Sequence, residues 1–104
     1  MMKSGFARTL LILAGVTLAL AGPASAYSGE RFAKAAKITM AEAMTIALKT
    51  RPGRITDREL EHERGGSGLR YSFDISANGH AYEVGVDAAT GAVLENSSEG
   101  KNLD

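Results

Sequence analysis

The 104-residue chain contains no cysteine and no tryptophan, and its 12 basic residues are matched by 12 acidic ones. Without cysteine there is no disulfide framework, no thiolate zinc site, no cysteine nucleophile and no lipid-modified cysteine. A formal net charge of zero speaks against a dedicated nucleic-acid binder, which would carry a clustered basic excess. The length allows one domain at most.

What is present begins with an address. Met1 to Arg8 carries Lys3 and Arg8 and no acid, and Thr9 to Gly22 reads TLLILAGVTLALAG, the length of a signal-peptide core. Pro23 ends any helix there. Ala24-Ser25-Ala26 follows, the small-x-small pattern that a signal peptidase admits. The expectation is a signal peptide over residues 1–26, cleaved after Ala26, and a periplasmic or secreted product. The uncharged span from Thr9 to Gly29 is also long enough for a membrane anchor of ~20 residues. Its weakly apolar end favours cleavage, after which no stable membrane insertion is expected. Removing the leader takes away Lys3 and Arg8 and no acid. The remainder is mildly acidic, with no electrostatic attraction to DNA or anionic lipid.

Residues 27–37 are polar and short of large apolar groups, and are expected to form a flexible lead-in. Thr39-Met40-Ala41-Glu42 is a capping box. Met40, Ala43, Met44, Ala47 and Leu48 then follow the spacing of one helix face, with Ile46 at its flank. Pro52-Gly53 stops the pattern, which predicts a helix over Met40 to Thr50. The period then changes. Leu69, Tyr71, Phe73 and Ile75 alternate with polar residues, as do His80, Tyr82, Val84 and Val86, and Asn78-Gly79 between them is a hairpin signal. Asp87 to Gly91 is a second tight connection, leading into a short strand over Ala92 to Asn96. Ile55 to Arg64 is ambiguous, because its two large apolar residues, Ile55 and Leu60, have opposite parity. It reads as a polar strand with Leu60, and His62 as a candidate, facing inward. The polar tail, residues 97–104, is expected to be disordered. The expected class is α+β: one amphipathic helix on a three- to four-stranded antiparallel meander. Its core is small, with Met40, Met44, Leu48, Ile55, Val93 and Leu94 counted among its members beside the inward strand residues. A domain of residues 38–96 lies near the lower size limit for folding unaided.

This order, with Arg51-Pro52-Gly53-x-Ile55 after the helix, Tyr71-Ser72-Phe73-Asp74-Ile75 in the middle, and Tyr82-Glu83-Val84-Gly85-Val86-Asp87-Ala88-Ala89-Thr90-Gly91-Ala92-Val93-Leu94 at the end, resembles the PepSY domain. Its matching positions are caps, core faces and turns, so they speak to fold and not to chemistry. The resemblance implies an exported module of a kind found in metallopeptidase propeptides, in membrane-associated sensor proteins and as small stand-alone periplasmic proteins, with inhibition or modulation of peptidases as the proposed role. It brings no catalytic residues. With no peptidase attached, any inhibition is expected in trans.

The residues themselves assemble no nucleophile, base and oxyanion donor, so no enzyme is expected, nor any catalytic, cofactor-binding or metal site. Asp57, Glu59, Glu61, His62 and Glu63 form the densest titratable set. On a strand Glu59, Glu61 and Glu63 share one face and His62 the other, which splits the histidine from the carboxylates and favours a solvated face over a metal site. His62 and His80 are more simply two unrelated histidines than a titrating pair. Gly65-Gly66-Ser67-Gly68 lacks the spacing of a nucleophile elbow and the lysine of a phosphate loop. The expected function is a non-catalytic binding module docking on another exported or membrane protein, with a peptidase as the candidate. An open sheet edge can take up an extended segment. The candidate edges are the polar strand, with Asp57, Glu59, Glu61 and Glu63 able to steer a basic partner, and the final strand. The competing expectations are an envelope sensor accessory that binds a metal or small ligand, and a structural partner of a membrane protein.

Overall fold

The computed structural model describes residues 26–102. A 3-10 helix, Glu30–Ala35, precedes α1 (Met40–Thr50), and four strands follow: β1 (Arg54–His62), β2 (Leu69–Ala77), β3 (His80–Asp87) and β4 (Val93–Asn102). They form one antiparallel sheet in the order β1-β2-β3-β4, so β1 and β4 are its edges. The fold is thus α+β, one helix laid on a four-stranded meander.

The capping box is formed. The Thr39 hydroxyl accepts the Glu42 amide at 3.0 Å, and the Glu42 carboxylate accepts the Thr39 amide at 2.8 Å. This satisfies two backbone donors that a helix start would otherwise leave unpaired. Ala43 and Ala47, both fully buried, bring α1 close to the sheet. Beneath it lie Tyr71, Phe73 and Ile75 of β2, Val84 and Val86 of β3, and Leu60 of β1, each with 2 % or less of its surface exposed. The hairpin between β2 and β3 turns at Asn78 and Gly79, with φ of 54° and 80°, as a two-residue turn matching the sheet twist requires.

The parity conflict in β1 is resolved by a bulge. Ile55 pairs with Ile75 and Asp57 with Asp74, leaving Thr56 without a partner. The extra residue resets the alternation, so Ile55 and Leu60 both face α1. His62 shares that side by register, but it lies exposed at the strand end.

Three expectations are corrected. The lead-in is structured: Tyr27 and Phe32 pack against the core, Phe32 meets the His62 ring edge-on at 4.5 Å, and the Lys37 and Ile38 amides both bond to the Ala88 carbonyl. Two aromatic rings supply anchorage that its otherwise polar composition concealed. The tail over residues 97–102 is not disordered but continues β4, because β3 offers backbone partners as far as the His80–Asn102 pair and a ladder needs no apolar side chains. Val93 is 42 % exposed and lies outside the core, since β4 shifts register beside Val86. Of the expected leader, residues 1–26, all but Ala26 lie outside the described residues. Among the described residues no helix is long and apolar enough to cross a membrane.

Candidate functional site: the open sheet face and its edges

The residues that alternate with the core face away from α1. Asp57, Glu59 and Glu61 of β1 stand opposite Asp74, Ser72 and Arg70 of β2, and these stand opposite Glu83, Gly85 and Asp87 of β3. Glu95 of β4 pairs with Gly85, on the same side. This face therefore gathers carboxylates from all four strands.

One end of it is closed by the loop between β1 and β2. Arg70, 7 % exposed, donates to the Arg64 carbonyl at 3.0 Å and to the Glu95 carboxylate at 3.4 Å, its guanidinium lying across Gly85. A Cβ at position 85 would stand 3.0 Å from that group, which explains a glycine inside β3. Asp87, 3 % exposed, accepts hydrogen bonds from the Ser67 hydroxyl, the Ser67 and Ala89 amides and the Thr90 hydroxyl. Burial pushes the Asp87 carboxyl up, but these donors outweigh it and hold the group below its usual value.

Over the other end no further element lies among the described residues. There the carboxylate oxygens of Asp74, Glu83 and Glu99 lie within 4.8 Å of one another. Glu99 is raised above the usual carboxylate range by a hydrogen bond with Asp74, by burial, and by the charges of Asp74 and Glu95. Glu83 is raised by burial and by the charges of Glu95, Asp74 and Glu99, and Glu59 by burial and by Glu61 and Asp57. Beside them a concavity of about 340 Å³ runs between Arg54 and Glu99 over the small side chains of Ser76 and Ala81.

Asp57, Glu59 and Glu61 share this face as the alternation required, while Glu63 lies exposed beyond the strand end. The three acids that converge most closely are different ones. The two-residue hairpin at Asn78-Gly79 fixes Asp74 opposite Glu83, so that pair was readable from the sequence. Glu99 was not, because β4 changes register twice. The two histidines stay apart: His62 pairs with Leu69 and His80 with Ala77, at opposite ends of β2.

The two sheet edges differ. On β1 the Leu60 amide bonds to the Ser28 carbonyl at 2.9 Å, and Ser28 forms a parallel bridge with Glu59. Gly29, with φ of 86°, then turns the chain away so tightly that a Cβ there would overlap the Leu60 carbonyl. Replacing Gly29 by alanine is expected to lift Ser28 off β1. The Leu60 amide should then exchange its hydrogen markedly faster, at a stability cost of about 1–2 kcal/mol. Unchanged exchange at that amide would show that Ser28 does not guard the edge. On β4 no strand pairs with the outer edge among the described residues. Its inner flank is held by Arg51, which stacks on the Tyr82 ring at 3.8 Å and donates to the Asn96 side chain at 3.1 Å.

No curated protein and no solved structure matches the chain. The family model described as the peptidase propeptide and YPEB domain matches residues 37–96, from the residue before α1's cap region through the middle of β4. That span takes in the helix, the bulged strand, the hairpin and the Asp87 turn just described, and the chain belongs to the PepSY family.

Proposed function

We propose that the chain is an exported, non-catalytic binding module that modulates a peptidase in trans, docking through the outer edge of β4. The observation that carries this reading is the asymmetry of the edges. The N-terminal segment occupies the middle of β1, whereas among the described residues no strand pairs with the outer edge of the ten-residue β4. Such an edge gives an extended segment main-chain hydrogen bonds without a preformed pocket. The family's description as a peptidase propeptide domain supports a peptidase as the partner.

The test adds the full chain to thermolysin-type metallopeptidases and follows peptide hydrolysis, with amide exchange measured on the complex. Inhibition at micromolar concentration, with slowed exchange along β4, is the expected result. Unchanged hydrolysis across a panel would overturn the peptidase reading. Inhibition with unprotected β4 amides would overturn the docking edge.

A further inference from the structure

We propose that the uncovered end of the sheet face, beside β4, receives a lysine- or arginine-bearing extended segment and selects its partner by charge. This rests on the docking reading above and specifies the partner's chemistry. A strand added outside β4 would lie about 4.8 Å from it, with every second side chain over the open face. Those side chains would stand beside Glu95 and Glu99, and Glu99 reaches back to Asp74 and Glu83. Long cationic stems fit this ground: the floor at Ser76 and Ala81 is small, and the concavity above it is open. The carboxylates there repel one another; of the cations of this face, Arg70 is engaged at the far end by Glu95 and the Arg64 carbonyl, and Arg54 lies exposed on β1, across the concavity from Glu99. Cations from a partner relieve that repulsion, and like charges placed directly opposite are unfavourable. A second copy of the chain fits poorly for the same reason. Its β4 would bring Glu95 and Glu99 of both chains alongside each other.

The test uses fluorescence anisotropy on the full chain with a dye-labelled peptide of alternating lysine and threonine, and with its glutamate–threonine counterpart. The lysine peptide is expected to bind, weakening steeply as salt rises from about 50 to about 300 mM, while the glutamate peptide does not. The triple variant D74N/E83Q/E99Q should bind the lysine peptide at least about tenfold more weakly, yet melt no lower than the parent because it loses repulsion and not packing. Equal binding of the two peptides, or unchanged affinity in the triple variant, would overturn the proposal. So would a melting shift that saturates with micromolar calcium or magnesium alone, which would make the cluster a cation site. Peptidase inhibition that survives in the triple variant removes the charge selection and leaves the docking reading. Lysine-peptide binding without effect on any peptidase does the reverse.

Discussion

Phe73→Ala is expected to lower the unfolding free energy by about 3–5 kcal/mol, the usual cost of removing a buried aromatic ring and leaving its cavity. Phe73 is fully buried in the middle of β2, between Arg58 of β1 and Val84 of β3, with α1 above it. Among the described residues there is no second core layer to collapse into the space, since the opposite face of the sheet is polar. A small domain has about 5–10 kcal/mol in all, so the loss would leave a large unfolded fraction at 37 °C. Phe73→Leu keeps most of the volume and should cost less than about 1.5 kcal/mol. Urea unfolding followed by circular dichroism measures both. A loss below about 1 kcal/mol for the alanine variant would show that α1 and the sheet do not share one core.

The elements that were legible from residues alone are those whose signal is local. Thr39 and Glu42 cap the helix they sit on, Asn78-Gly79 sets the turn it occupies, and β2 and β3 alternate without interruption. What was hidden depends on residues distant in sequence. The bulge at Thr56 is visible only as a contradiction between Ile55 and Leu60, and it takes the pairing with β2 to resolve it. The lead-in looked solvated because Tyr27 and Phe32 find their partners some thirty residues away on β1 (about the separation of Phe32 from His62). Residues 97–102 have no apolar pattern at all, so only the β3 ladder reveals them as a strand. The candidate site has the same division. The carboxylates of β1 announced themselves by alternation, whereas the contribution of β4 required a register that two shifts had obscured.

The second large effect is expected at Asp87, whose carboxylate ties the β1–β2 loop to the turn after β3. Asp87→Ala would strip the acceptor from the Ser67 and Thr90 hydroxyls and the Ser67 and Ala89 amides. Hydrogen bonds to a charged group contribute about 1.5–3 kcal/mol each when isolated, and sharing one carboxylate makes them less than additive, so a total loss of about 3 kcal/mol is expected. Asp87→Asn keeps one acceptor oxygen but turns an amide toward the remaining donors, and should fall between. The pH dependence identifies the charge as the cause. Because the folded-state value lies below the usual 3.8, this stabilisation is fully present above that value and is lost as pH falls through the folded value. The raised carboxyls of Glu59, Glu83 and Glu99 act in the opposite sense. They favour the fold when protonated, below their usual 4.5, and that contribution disappears as pH rises through their higher folded values. The two sets act on opposite sides of the interval between the usual 3.8 and 4.5: stability is lost on the acid side through Asp87 and on the neutral side through the open face. In Asp87→Ala the acid-side decline should flatten while the neutral-side decline remains. An acid limb identical to the parent's would show that Asp87 is not the group whose protonation loosens the two turns.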